Sequence, residues 1–461
     1  MHDQGSPGLK HDALSLPEAI IMGIAGTAPA YSMAATTATL VAAIGVLAPA
    51  SLSICGVAMF GVAFAFLHLT QIDPNAGAVY IWVKHFLHPV LGFFAGWTML
   101  VMSALFMVSG TVPAATIILQ MLAPGAGQNI MAVTLVAALL MILIGLVVLK
   151  GIKLSSHFQV ALTLVEVTIV IGIIVAALIA SSAHPVHKLT FGLLVGFDFT
   201  PRLFVSGALV AVFFYSGWDV TANLNEETRD AKRNGGLAAL LAMLSLILIL
   251  VGFTAACLLT LSDAEIQNAG TNVVTSVAER ILPAPWGSLA ILAVLLSSIG
   301  TLETNVLQFT RTLFAMARDG VFPERYARVH AVHQTPWIST VLVTAIGLVL
   351  LLLSSALSSV ATIMKDFANA LGFQIAFYYA LACLACAWCM RKNFHMPRIL
   401  LTGILWPLVS AIFLIVVALC SIPTFDATTL LVSLGSLASG ILPLALCRLQ
   451  TPRSAERRDT F

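Results

Sequence analysis

Charge is what this sequence lacks most: Asp, Glu, Lys and Arg make up 9% of 461 residues, against 59% apolar. A soluble domain carries about a quarter charged residues, so this chain cannot cover itself with a hydrated surface. Its formal net charge of +2 says little, and its basic residues sit in short clusters between apolar runs. That excludes the basic stripe of a nucleic-acid-binding protein. Cysteine is scarce, and Cys55, Cys257, Cys383, Cys386, Cys389, Cys420 and Cys447 all lie in or at the ends of apolar runs, which argues against a disulfide framework. Cys383, Cys386 and Cys389 share roughly one helix face, but no His stands in that stretch to complete a metal site, so they read as packing residues. HExxH, GxSxG and GxxxxGK[ST] are all missing, which leaves metalloprotease, hydrolase and nucleotide-loop chemistry without a carrier. No cofactor signature is present either.

What the chain has in abundance is long apolar runs. Crossing a bilayer takes about 20 apolar residues in a helix. On that basis spans are expected near 17–45, 48–69, 90–122, 129–149, 154–181, 202–225, 235–261, 286–317, 336–356, 359–389, 397–420 and 427–448. The first outlasts a signal-peptide core and reads as a retained helix. Spans 90–122 and 286–317 exceed an upright crossing and must tilt or project. The fold class is an all-α membrane protein of about twelve transmembrane helices. Residues 1–16 form an N-terminal segment, 17–390 the main body, 391–450 the last two helices and 451–461 a tail.

Lys and Arg in short loops orient such a protein. With the N-terminus inside, the inner segments hold Lys10, Lys84, Lys150, Lys153, Arg229, Lys232, Arg233, Arg311, Arg318, Arg325, Arg328, Arg391, Lys392, Arg398, Arg448, Arg453, Arg457 and Arg458. Only Lys188, Arg202 and Arg280 fall outside, with Lys365 inside a span. Both termini are therefore expected in the cytoplasm, and the short loops suit a bacterial inner membrane. The outer loop 262–285 is expected to fold as a short amphipathic helix over the outer mouth.

Two spans carry interruptions. The first reads GIAGTAPAYSM over Gly23–Met33, with Pro29 in its middle, and the sixth reads FFYSGWDVTANLNEE over Phe213–Glu227. Freed backbone groups are tolerated in lipid only where they are buried in protein or line a cavity. Breaks at corresponding positions of two halves point to an inverted-repeat transporter with its site between them.

These features carry a family resemblance. GAVYIWVKHFLHPVLGFFAGW (Gly77–Trp97), GIKLSSHFQVALTLVE (Gly151–Glu166), the sixth-span segment ending NLNEETRDAKRN and, above all, FTRTLFAMARDGVFPERYARVHAVHQTPW (Phe309–Trp337) resemble the APC-superfamily (amino acid–polyamine–organocation) permeases over nearly the whole chain. The resemblance implies a LeuT-type fold: two inverted five-helix repeats with broken helices 1 and 6, followed by two more helices. It also implies roles. The broken part of span one (Thr27, Ala28, Pro29, Ala30, Tyr31 and Ser32) would offer N–H groups to a substrate carboxylate. Tyr215, Ser216, Gly217 and Trp218 would offer carbonyls to its amine, and Phe213 or Phe214 would close over it. One departure stands out: the family's Gly-Ser-Gly falls on Pro29-Ala30-Tyr31, where Pro29 has no N–H and Tyr31 adds bulk. Either the backbone bends differently here or the substrate is not an ordinary α-amino acid.

Three acids fall inside spans, each costing roughly 2.5–3.5 kcal/mol at a helix centre if ionised and unpaired. Glu166 ends a polar stripe with Ser155, Gln159 and Thr163, and either relays a proton or is a neutral acid bonded to the span-one backbone. Asp219 either pairs with a substrate amine and couples to protons or caps the inner half-helix. Glu303 points off the eighth-span stripe of Ser297, Thr301, Thr304 or Asn305 and Gln308, as a second cation site or a buried hydrogen-bond partner. Lys365 and Asp366 read as snorkelling at the outer interface, and Gly92 and Gly96 as close helix packing. The expected function is a secondary transporter, proton-coupled as symporter or exchanger, of amino acids or related organic amines. The alternatives are a polyamine or other organic-cation permease that uses no substrate carboxylate, and an ion channel. The expected partners are the small-molecule substrate, protons and the lipid bilayer.

Overall fold

With no water in the hydrocarbon phase, each backbone N–H and C=O must be satisfied within the segment, and helices do this. A computed structural model describes residues 8–446 apart from 124, 182, 189, 193–195, 197–198 and 356–359. Its helices are α1 (Leu16–Thr27), α2 (Pro29–Ile44), α3 (Ala48–Ile72), α4 (Val79–Phe86), α5 (Pro89–Leu122), α6 (Ile130–Leu149) and α7 (Ile152–Ala180). They continue with α8 (Pro201–Phe214), α9 (Val220–Asn223), α10 (Ala231–Thr260), α11 (Asp263–Ala269), α12 (Val273–Ile281), α13 (Leu289–Arg318), α14 (Trp337–Ser354) and α15 (Val360–Met390). The last are α16 (Pro397–Ile399), α17 (Trp406–Ser421), α18 (Ala427–Leu430), α19 (Ser436–Ala438) and α20 (Ile441–Leu446). Among the described residues the one departure from helices and loops is an isolated parallel bridge between Leu14 and Thr228.

Nine stretches are long and apolar enough to cross a membrane among the described residues; the first, Leu16–Ile72, holds two crossings, and Leu203–Phe214 and Leu431–Leu446 are shorter apolar helices. Together these make the twelve crossings expected of a multi-pass membrane protein. The sequence did not announce the π-helical stretches Leu400–Leu405 and Leu431–Gly435 in the last two, nor α4 between the second and third. Span 90–122 is indeed one helix of 34 residues, with Pro113 inside it. The side chains of Arg202, Lys365 and Asp366 and the tail 451–461 lie outside the described residues.

Both breaks have local causes. Ala28 takes a left-handed conformation (φ 52, ψ 68), which ends α1. Pro29 then serves as the first residue of α2, where a missing N–H costs nothing and a fixed φ suits the helix. The interruption is thus a single residue, and Pro29 to Ser32 are already helical, unlike the longer unwound stretch implied for Thr27–Ser32. Span six opens more widely: α8 stops at Phe214, Gly217 sits at φ +96, and only one turn of helix, α9, resumes before a 3-10 turn at Asn225–Glu227. The two breaks cross. A Cβ on Gly26 would overlap the Gly217 carbonyl, and one on Gly217 would overlap the Gly26 carbonyl. Around this crossing α10 packs along α3, and α13 along α5 and α7. Gly92 lies against the Lys84 backbone of α4 and Gly96 against Met316, as close packing requires.

The outer loop forms two short helices, α11 and α12, instead of one, and both pack on α2. Ser262 and Glu265 form a capping box at α11: the Glu265 carboxylate accepts from the Ser262 N–H at 2.9 Å and its own N–H donates to the Ser262 hydroxyl at 3.3 Å. Arg280 of α12 bonds the same carboxylate.

Substituting Gly217→Ala or Gly26→Ala should destabilise the protein by about 1–3 kcal/mol, because an overpacked backbone contact cannot yield as a side chain does. Gly172→Ala on α7, where a Cβ meets nothing within 4 Å, should instead stabilise by about 0.5–1 kcal/mol; thermal unfolding in detergent compares the three. The hydrogen bonds from the Ser262 backbone and hydroxyl, with that from Arg280, lower the Glu265 carboxyl from 4.5 to about 2. A lowered folded-state pKa contributes stability that is present above about 4.5 and is lost as pH falls through about 2. Amide exchange across residues 262–281 should accelerate over that window in wild type, and already be fast at neutral pH in Glu265→Gln.

Candidate functional site

The site grows out of the two breaks. At the start of α2 the N–H groups are already engaged: Ala30 donates to Glu166 Oε1 at 3.1 Å and Tyr31 to the Ser297 hydroxyl at 3.1 Å. Glu166, on α7, thus places the chain's own carboxylate where a helix N-terminus would receive an anion. Tyr31 does not fill the gap in the backbone: its phenol donates to the Ser109 carbonyl at 2.9 Å and its ring meets the edge of Phe106. The Gly26 carbonyl accepts from the Thr301 hydroxyl at 2.9 Å, and the Thr27 carbonyl from the Ser32 hydroxyl at 2.7 Å. The Thr27 hydroxyl oxygen is buried without a partner.

On span six, Phe213 and Phe214 are buried in the main apolar cluster, and the Tyr215 hydroxyl reaches away to the Leu52 carbonyl at 2.9 Å. The Ser216 hydroxyl bonds back to the Phe213 carbonyl at 2.9 Å. Trp218 packs between Phe66 and Tyr379, with ring centroids at 5.1 and 5.7 Å. Asp219 occupies the N-cap position of α9, but its side chain makes no capping bond. Its Oδ1 accepts instead from the Tyr379 hydroxyl at 2.8 Å, while Oδ2 makes no full hydrogen bond, the Gln308 side chain of α13 being the other group that interacts with this carboxyl. The Trp218 indole nitrogen is also buried and unpartnered. Buried polar groups are nearly always bonded, so these under-satisfied atoms set the crossing apart from the packed interior around it.

Of the residues singled out in the sequence, Thr27, Ser216, Gly217, Trp218 and Asp219 therefore meet at the crossing, with Glu166 at the start of α2. Tyr215 and Tyr31 turn outward to neighbouring spans. Tyr379 carried no sequence signal, since span ten lies 160 positions from Asp219 and reads as apolar. Ser297, Thr301 and Gln308 belong to the eighth-span stripe already visible in the sequence. Glu303 is a buried hydrogen-bond partner, one of the two readings given above: the Ser155 hydroxyl of α7 bonds it. The α13 face that meets α7 is wide enough to include it.

Around the turn Asn225–Glu227 the fold is closed by charges whose number and burial the sequence did not convey. Arg311, assigned above to an inner segment, is 0% exposed and grips the equally buried Glu227 through Nε at 3.0 Å and Nη2 at 2.8 Å. Arg318 holds Glu226, whose carboxylate also accepts from the Ala76 N–H at 3.0 Å. Lys84 and Tyr80 meet at Asp319, at 2.6 and 2.9 Å. The N-terminal segment is part of this closure: Leu9, Ala13 and Leu14 are buried, and the N–H groups of Ala13 and Leu14 donate to the Glu227 carbonyl at 2.8 and 2.9 Å. Among the described residues no group of three or more His, Cys, Asp or Glu is arranged to hold a metal ion.

Removing one partner of a buried ion pair strands the other, so Arg311→Leu should cost about 3–5 kcal/mol. Arg318→Ala, which breaks a pair with one partner well exposed, should cost about 0–1 kcal/mol. Equilibrium unfolding in mixed micelles tests the order of the two.

The chain is similar to several known transporters. It is 26% identical over 300 residues to the serine/threonine exchanger SteT of Bacillus subtilis (strain 168), covering 62% of this chain and 64% of that one. To the low-affinity putrescine importer PlaP of Escherichia coli (strain K12) it is 27% identical over 304 residues, covering 65% and 66%. To a methylthioribose transporter of Bacillus subtilis (strain 168) it is 23% identical over 305 residues, covering 63% and 64%. The alignments thus span just under two thirds of the length of these curated relatives, which are transporters and not enzymes. The model of the amino acid permease family matches residues 14–436, nearly the whole chain. The chain belongs to the amino acid permease family of the APC superfamily.

Proposed function

We propose that this protein is a secondary transporter that carries a small organic amine, or an amino acid through its amine, across a cytoplasmic membrane at the expense of a proton gradient. The observation that carries the reading is the carboxylate of Asp219. It lies at the break of span six beside the paired rings of Trp218 and Tyr379, with Oδ1 bonded by the Tyr379 hydroxyl and Oδ2 without a full hydrogen bond near Gln308. An ionised carboxylate only accepts hydrogen bonds, which matches an ammonium group, and aromatic faces attract the same cation. The start of α2 supports an amine over a carboxylate, because Glu166 and Ser297 already take the N–H groups that would bind one. The excess of Lys and Arg on one side supports cytoplasmic termini, and the paired breaks support an inverted-repeat architecture. The putrescine importer among the relatives fits this reading.

The serine/threonine exchanger among the relatives favours a second reading, an α-amino acid whose carboxylate displaces Glu166 from Ala30. Thermal unfolding of the detergent-purified protein with putrescine, serine and threonine separates the two. Under the first, putrescine at 100 times its Kd stabilises by about 2.7 kcal/mol, Asp219→Asn abolishes the effect, and serine does nothing. If serine stabilises and putrescine does not, the second reading replaces the first.

A further inference from the structure

Glu303 plays no part in the site at the crossing, yet it is a fully buried carboxyl in the middle of α13. Its partners all come from α7. The Ser155 hydroxyl bonds Oε1. The Gln159 amide lies beside Oε2. With its nitrogen toward Glu303, Nε2 donates to Glu303 Oε2 at 2.8 Å and to the Gly300 carbonyl at 3.1 Å, while Oε1 accepts from the Thr163 hydroxyl at 3.0 Å. Turned over, the amide donates to Thr163 and its oxygen faces Glu303 Oε2 and the Gly300 carbonyl, so this arrangement is satisfied only when Glu303 carries a proton to donate. A Cβ on residue 300 would collide with this amide, so Gly300 leaves it room.

The chemistry of these partners decides what Glu303 can do. Arg311 only donates, so Glu227 is held as an anion. The Ala30 N–H also only donates to Glu166, which the Ser297 hydroxyl meets as well. Hydroxyls and primary amides both donate and accept. As a carboxylate, Glu303 accepts from Ser155 and from the Gln159 nitrogen. As an acid, it donates its proton to the Gln159 oxygen of the turned amide, which passes its own N–H to Thr163 and leaves the Gly300 carbonyl without its amide donor. The carboxyl itself is thus met in both protonation states by turning one amide, without moving a helix.

We propose that Glu303, with Ser155, Gln159 and Thr163, is a proton-binding site on the seam between spans five and eight, separate from the solute site at Asp219. Its place in transport rests on the proton-driven reading above, whereas the binding of the proton does not. Few other charges bear on it. Helices α5, α6, α9 and α14, all packed on α13, carry no ionisable side chain. On α1, Glu18 is taken by Ser15 and Lys153; on α7, His157 reaches Glu18, and Glu166 sits about three turns from Ser155. Tyr31 of α2 is bonded to Ser109. On α4, Lys84 and Tyr80 are held by Asp319 and His85 by Asp73, and on α12 Arg280 is held by Glu265 while Glu279 stands beside it near the helix end. The turn 324–327, also packed on α13, carries Glu324 and the bonded pair Arg325 and Tyr326. Within α13, Arg311 is the charge that acts on Glu303.

Infrared difference spectra of the purified protein, recorded as pH is stepped, read the carbonyl stretch of a buried carboxylic acid directly. Wild type should show one that vanishes in Glu303→Gln and shifts in frequency in Gln159→Leu. In proteoliposomes Glu303→Gln should lose the pH dependence of putrescine uptake while still being stabilised by putrescine. A band that survives Glu303→Gln, or a wild type with no titrating band, overturns the assignment. If Glu303→Gln fails to fold, Ser155→Ala and Gln159→Leu carry the test, and a band unmoved in both overturns it equally. Should the band behave as expected while wild-type uptake moves no protons, the site stands and the proton-driven reading of transport falls.

Discussion

Gly26 and Gly217 bring the backbones of two interrupted helices into direct contact, so each carbonyl occupies the space that the other residue's side chain would need. Everything around the solute site depends on this crossing. It holds Ala28 and Pro29 where α2 can begin, and it sets Trp218 and Asp219 against Tyr379. It also brings the Gly26 carbonyl within reach of Thr301 on α13. Helix breaks in an apolar phase strand polar groups. Here the stranded groups face one another, or side chains from spans five, eight and ten, instead of lipid.

The buried acids sort by what their partners can do. Glu227 meets a guanidinium. Asp219 meets the Tyr379 hydroxyl and the Gln308 side chain and leaves one oxygen without a full hydrogen bond. Glu303 meets a hydroxyl and an amide, groups that can both donate and accept. A shared cost of burial is thus offset in three different ways.

Much of this could be read from the chain. The twelve spans, the two breaks and the polar stripe Ser155, Gln159, Thr163 and Glu166 follow from hydropathy and helical spacing, because lipid imposes both. The stripe is buried throughout and faces α13, as its composition required. Tyr379 could not be found in this way, since one tyrosine in an apolar span looks like packing until its partner is known. Which group meets Glu303 was not legible, because angular position on a helix does not give the width of the face that a neighbour covers. The burial of Arg311 was not legible because its pairing with Glu227, 84 positions away, is not a local property.

The sequence by itself determined that this protein lives in a membrane, how often it crosses, where two crossings break and to which family it belongs. The first three follow from local composition and spacing acting against a uniform apolar solvent, and the family from the motifs that the chain shares with it. Only the tertiary structure decided that the start of α2 is occupied by Glu166, that Asp219 leans on Tyr379, and that Glu303 is surrounded by reversible partners. In an apolar interior the state of a charge is set by the few atoms within hydrogen-bonding reach, and the chain assembles those atoms from spans far apart in sequence.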